Sequence, residues 1–412
     1  MGFLNFVLFF IPLLYFYKQK KSIVAIYIVA IWTFSALIGI FYNSSEYKRE
    51  GFYDTEIFPF FYLAACLYIS LCPLLKQKDS IKEVSCSTPL IEWIIIGIAV
   101  LAYEPFLEMV YNLIDFVISG RFYLLGANYD DFARQESESL IHLTKWAKFL
   151  CGYFRDFKVA TLILFFYYLK RPYRKKWVLI GLFMASIIPM LFNICIGSKT
   201  EAIFYVVSFI GFYLLLKDIY AKETLKLLRK LIVGISSTAF AVALALSIGR
   251  YVVGSNYGDA NTSDFLVTYT AESMYNFNEN AFHENKKLYG FATMQPVLLS
   301  LGITNVSMDD RRDYIRTQIQ SPAHLFYNYI GDFVLDWGLV GAILIILTLS
   351  IIFSKVKIGE DVSLSNLFLF GIYVYMLFNG LFYFCYKSTW GPIYANLFLF
   401  VVTRLFEKKK SR

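Results

Sequence analysis

Long apolar runs separated by short basic loops constrain this chain more than any other feature. A membrane-spanning helix needs about 20 predominantly apolar residues, and such runs recur from one end of the sequence to the other. Hydrophobic residues make up 58% and charged residues only 17%, against roughly a quarter charged in soluble domains. A backbone in lipid must satisfy its own hydrogen bonds, so these runs are expected to be helical. The alternating pattern of a transmembrane barrel is absent. The reading is therefore an all-α polytopic membrane protein with about eleven spans (ten to twelve), forming a single integral domain over residues 1–412.

The expected spans are about 2–17, 22–42, 57–75, 89–102 and onward, 148–169, 177–195, 202–216, 231–253, 334–353, 364–384 and 392–406. The fourth has an amphipathic continuation, EPFLEMVYNLIDFVISGRFY, expected to lie on the membrane surface or re-enter it. The fifth has Arg155, Asp156 and Lys158 near one end, and these charges should pair or face water. KQKK, KQKDSIK, KRPYRKK, the Lys217–Lys230 loop, SKVK and EKKKSR all follow odd-numbered spans or end the chain. By the positive-inside rule they are cytoplasmic, which puts the N-terminus outside and the C-terminus inside. Two larger polar segments, 104–147 and 254–324, then fall on the external side. The net charge of +8 belongs to those loops, so nucleic acid is not an expected partner. The six cysteines have no CxxC spacing, which argues against a disulfide framework or a zinc site. The first residues, MGFLNFVLFFIPLLYF, read as a retained span.

The segment from Ser247 to Gly341 is the long polar interruption, with two of the three histidines and the run DDRRDYIR. On the external side it joins Arg121, Arg134, Lys199, Glu201 and Arg250 to His283, Arg311, Arg312, Arg316, His324, Asp332 and Asp336. Charges at the membrane boundary are costly, and they either serve function or pair structurally. Lys199 in the tight turn IGSKTE can meet a phosphate as a point charge, or simply be solvated beside Glu201. DDRRDYIR predicts a short helix with Arg312 and Arg316 on one face. That face either binds phosphate through the planar fork of arginine or is salt-bridged to Asp309, Asp310 and Asp313. His324 is placed to take a proton near neutral pH or to serve a structural role. GxGxxG, Walker, HExxH and GxSxG patterns are missing, and so is a DxD-type carboxylate pair.

Three places carry a resemblance: IGSKTE after a mid-chain span, Arg250 at the start of the large loop, and AHLFYNYIGDFVLDWGLVG with His324, Phe326, Gly338 and Gly341. Together with the layout, these resemble the Wzy-type oligosaccharide repeat-unit polymerases of O-antigen and capsule synthesis, relatives of the O-antigen ligases with a GT-C-like architecture. Lys199 stands where many relatives carry arginine, and AHL stands where the ligases often have AHN. The resemblance implies a metal-independent glycosyltransferase without a cofactor in the bacterial cytoplasmic membrane. A glycan on undecaprenyl pyrophosphate would pass to a hydroxyl of an incoming lipid-linked repeat unit. His324 and Arg250 would be the catalytic residues, and Lys199, Arg312, Arg316 and Arg121 would bind the pyrophosphate. The lipid-linked donor and acceptor, the bilayer and a chain-length regulator are the implied partners. The rivals are an O-antigen-type ligase, a lipid-linked glycan transporter or flippase, and a membrane acyltransferase. A transporter would be marked by helices broken at Gly or Pro, and no such break is evident in the sequence.

Overall fold

The computed structural model of the chain describes residues 1–44, 54–77, 80–86, 89–119, 142–253, 262–308, 310–322 and 325–406, with the side chains of 43–44, 246–253 and 262–269 excluded. It is about 75% helical. The helices are α1 (Gly2–Lys18), α2 (Ile23–Ile38), α3 (Phe58–Leu75), α4 (Leu90–Ile118), α5 (Lys145–Asp156), α6 (Lys158–Lys170), α7 (Lys176–Cys195), α8 (Thr200–Leu216), α9 (Lys222–Val253), α10 (Thr262–Glu279), α11 (Gln295–Ser300), α12 (Arg311–Gln318), α13 (Asn328–Ser354), α14 (Leu364–Asn379) and α15 (Gly391–Leu405). Among the described residues, seven helical segments are long and apolar enough to cross a membrane: those of α2, α3, α4, α7, α8, α9 and α13. These are the proportions of a multi-pass membrane protein. Of the eleven expected spans, the first, tenth and eleventh are shorter apolar helices. The fifth is split at Phe157 into α5 and α6.

The chain forms two compact units. The first comprises Met1–Ser80, Asp259–Gly359 and Tyr373–Trp390, and the second Ile81–Gly258, Glu360–Ile372 and Gly391–Arg412.

In the second unit α6 is central, with every residue from Lys158 to Leu169 buried. A charge at the start of such a helix needs a partner, and Lys158 donates to Glu201 on α8 at 2.8 Å. α7 runs close against α4, where a Cβ on Gly181 would stand 2.6 Å from the Ala99 carbonyl oxygen. Only a residue without a side chain permits that approach, a common device between membrane helices. α4 continues unbroken from Leu90 to Ile118, so the described part of the amphipathic piece is the end of one long helix. Glu108 and Asn112 near that end bind the entry to α5. Asn112 exchanges hydrogen bonds with the His142 backbone, and the Glu108 carboxylate accepts from the Thr144 N–H and hydroxyl at 2.9 Å each. Thr144 then caps α5 by accepting from the Ala147 N–H. At the opposite end two short strands, β1 (Glu83–Ser85) and β2 (Asp361–Ser363), pair in parallel, with Val84 opposite Val362.

In the first unit the polar segments gather at one end. Gly2 lies against Gly39 and Ile40, Asn278 on α10 exchanges hydrogen bonds with the Glu56 backbone ahead of α3, and the Asn328 N–H donates to Phe382 O. α10 belongs to the segment expected to be an external loop. Its second half is nevertheless buried, with Glu272, Asn276, Asn278 and Glu279 all at 2% exposure or less. The Tyr275 hydroxyl donates to Gly39 O and Ser35 donates to Thr270 O.

α13 is not one straight rod. Gly338 has φ 70° and ψ 177°, a region open essentially to glycine alone. Three contacts with α3 show the effect. The Tyr329 hydroxyl donates to Ser70 Oγ, the Tyr62 hydroxyl to Leu339 O, and the Ser350 hydroxyl to Ile69 O. In a continuous helix Tyr329 and Ser350 would lie about 31 Å apart, yet they reach adjacent residues of α3. The chain therefore doubles back at Gly338, and Asn328–Trp337 is a half-helix folded into the unit. The freed carbonyls of Leu335 and Asp336 accept from the N–H groups of Leu288 and Tyr289, so the break leaves these polar groups satisfied. The sequence contained the glycine, but no break was expected there.

Candidate functional site

The half-helix Asn328–Trp337 begins with its own cap: Asn328 Oδ1 accepts from the Gly331 N–H at 3.0 Å. Asp332 and Asp336, four residues apart, share one face and are almost fully buried. Asp336 accepts from the N–H groups of Ala292 (2.7 Å) and Thr293 (2.9 Å) and from the Thr293 hydroxyl. Asp332 accepts from the Phe384 N–H at 2.7 Å. Both its oxygens also accept from Lys387 Nζ at 3.2 Å. Lys387 sits in the turn after α14, 16% exposed, with Nζ 4.5 Å from the centre of the Tyr383 ring. Phe326 stacks on that ring. Asp336 is therefore held mainly by the backbone, whereas Asp332 is balanced by a side-chain ammonium group.

Two arginines stand close to this pair. The Arg311 guanidinium donates to the carbonyls of Phe291 (3.2 Å) and Ala292 (2.6 Å). Burial pulls its pKa down, Asp332 and Asp336 pull it up, and Arg312 opposes them; the balance is a lowered value. Lys387 is also lowered, first by burial. Asp332 opposes that shift, and Arg311 and Arg312 add to it. Arg312, exposed on α12, thus acts on both groups through space. Arg311, Arg312 and Lys387 thus gather about Asp332 and Asp336, and cationic groups of this kind suit an anion of the phosphate class.

A neighbouring carboxylate fixes the backbone leading into α13. Glu284 accepts from the N–H groups of Lys286, Gln320 and Ser321 and from the Ser321 hydroxyl. Burial alone would raise its pKa, but these hydrogen bonds outweigh it and hold the carboxyl below its ordinary 4.5.

The residues expected from the sequence are scattered. Arg312 and Arg316 lie on the expected short helix, α12. Arg316 pairs with Asp313 at 3.2 Å, both more than half exposed, as in the salt-bridged alternative. Lys199 is in the other unit, at the start of α8, and only 4% exposed. Glu201 is paired with Lys158 and not solvated beside Lys199. His324 and Arg121 lie outside the described residues, and Arg250 lies in α9 with its side chain outside the description. Lys387 and Arg311 were not singled out as binding residues. The available signal was a lysine in the short KSTW turn between two apolar runs, together with two aspartates at a span entry. Among the described residues no three His, Cys, Asp or Glu side chains converge as metal donors do. Comparison with known protein families, curated proteins and solved structures gives no match to this chain, so its functional reading rests on the geometry above.

Proposed function

We propose that this chain is a membrane glycosyltransferase of the repeat-unit polymerase kind. It would transfer an oligosaccharide from a lipid diphosphate to a hydroxyl of a second lipid-linked unit. The observation that supports this most is the cluster of cationic groups around Asp332, brought from two elements to the first half of a broken apolar helix. In such a transfer the acceptor oxygen forms a bond to the anomeric carbon while the bond to the diphosphate oxygen breaks. The departing diphosphate carries the negative charge, and fixed cations stabilise it most where water is scarce. Arg311 is held by two carbonyls and so is preorganised. Lys387 can move from Asp332 to a diphosphate oxygen, since an ammonium is a point charge on a flexible stem. Arg312, exposed and close by, completes the set. His324 remains the proposed base for the acceptor proton, and Arg250, Arg316, Lys199 and Arg121 the further cations, as the family resemblance implies. The bacterial cytoplasmic membrane is the proposed location, with the polar end of the first unit outside.

The test is elongation by the purified protein in lipid nanodiscs supplied with lipid-diphosphate-linked repeat units. Chains longer than one repeat are expected, and Lys387→Ala should lower the rate at least about tenfold, the effect of losing one charge-stabilising contact. No elongation by the intact, folded protein with several repeat-unit structures would overturn the proposal.

The break at Gly338 favours a second reading. Discontinuous helices with buried charges are a feature of transporters, and a lipid-linked glycan flippase would use the same cations to carry the headgroup. Movement of a fluorescent lipid-diphosphate glycan across proteoliposomes, without elongation, would favour it.

A further inference from the structure

Residues 288–303 are tied down on one side and bare on the other. On the tied side, Leu288 and Tyr289 donate to the broken end of the half-helix, Ala292 and Thr293 donate to Asp336, and Thr293 O accepts from Trp390 Nε1 at 3.0 Å. On the bare side, Tyr289, Leu301 and Ile303 expose 72%, 67% and 67% of their surface. Not one residue from 288 to 308 is charged, although the segment lies in what hydropathy marks as a polar loop. Tyr289 adopts φ 48°, a left-handed conformation that is unfavourable for a bulky residue. It places the ring 6.5 Å from Trp337, edge to face. Leu298 and Trp337 both lie against Gly290, so the loop and the turn of α13 share a surface.

That surface continues into α13. Below Trp337, the exposed residues Val340, Leu344, Leu347 and Ile351 follow one another at helical spacing down the apolar second half of α13. This stripe fits contact with lipid tails, and Tyr and Trp at its upper end fit the interfacial belt. We propose that residues 288–303 form a wedge that enters the hydrocarbon edge of the bilayer beside α13, with lipid as its occupant. The bare apolar side meets acyl chains, while the tied side holds Arg311 and Asp336 at the level of the lipid headgroups. The wedge would be present whether or not the chain transfers sugars.

The test uses the full chain in liposomes, with Cys72 and Cys86 replaced by Ser. A nitroxide is attached at Leu301→Cys, Ile303→Cys, Val340→Cys or Thr317→Cys, one at a time. Collision with oxygen, which concentrates in lipid, is compared with collision with a water-soluble nickel chelate. Labels at 301 and 303 should favour oxygen as the label at 340 does, by at least threefold over the exposed helix position 317. Nickel access at 301 and 303 equal to that at 317 would overturn the wedge. Exclusion of both reagents would overturn it too, because it would mean a protein surface covers the patch.

Discussion

Removing the charge of Lys387 tests the geometry most directly. Its Nζ lies 3.2 Å from both oxygens of Asp332, and the two side chains are only 16% and 4% exposed. At an effective dielectric of about 20, unit charges at that separation attract by about 5 kcal/mol, and desolvation takes back part of this. Lys387→Met leaves Asp332 with the Phe384 N–H and the field of Arg311 and is expected to cost about 3 kcal/mol. Asp332→Asn leaves the ammonium over the Tyr383 ring, worth about 1 kcal/mol as a cation–π contact, and should cost slightly less. The double variant should be more stable than the sum of the two losses predicts, by about 2–3 kcal/mol. The assay is denaturant unfolding in detergent micelles followed by tryptophan fluorescence, with Trp390 as a nearby probe. A coupling energy below about 0.5 kcal/mol, the range of exposed surface pairs, would refute the desolvated pair and the site built around it.

Other predictions follow from the same geometry. Gly338→Ala forces a side chain into a glycine-only backbone region and against the Lys287 side chain; unfolding in micelles should show a loss of about 2–3 kcal/mol, whereas Gly359→Ala, with open space around it, should stay within about 0.5 kcal/mol. Glu284 has a folded pKa below its ordinary 4.5, so the unfolded chain binds more protons in that window; the stability it adds is present above pH 4.5 and is lost as pH falls through the folded value. Glu284→Gln should remove that part of the acid sensitivity in pH-dependent melting curves. Glu201→Gln strips the carboxylate from buried Lys158 and should cost about 3 kcal/mol, and Glu201→Lys should prevent accumulation of folded protein on a size-exclusion profile.

Particular residues show how far the sequence could be read. The expected short helix over DDRRDYIR formed as α12, where Arg316 pairs with Asp313 three residues away, whereas the carbonyls that hold Arg311 come from residues about twenty positions earlier. The boundary charge Lys158 was expected to pair or to face water; it pairs, and its partner was not identifiable, because Glu201 lies 43 residues away on another helix. Gly338 was visible as a glycine in an apolar run. Whether a glycine bends a helix depends on which groups wait to satisfy the freed carbonyls, and here they come from Leu288 and Tyr289, almost 50 residues earlier.

Hydropathy and charge are local quantities. Summed over about 20 residues, they were enough to determine an all-helical membrane chain and the ends of most of its apolar helices. The partner of a buried charge, the fold-back of α13 and the burial of polar α10 depend on contacts between segments far apart in sequence. Lys387 and Asp332 are 55 residues apart, and only packing decides which ammonium meets which carboxylate. The sequence by itself thus determined the solvent this chain lives in, and the tertiary structure decided where its charges meet.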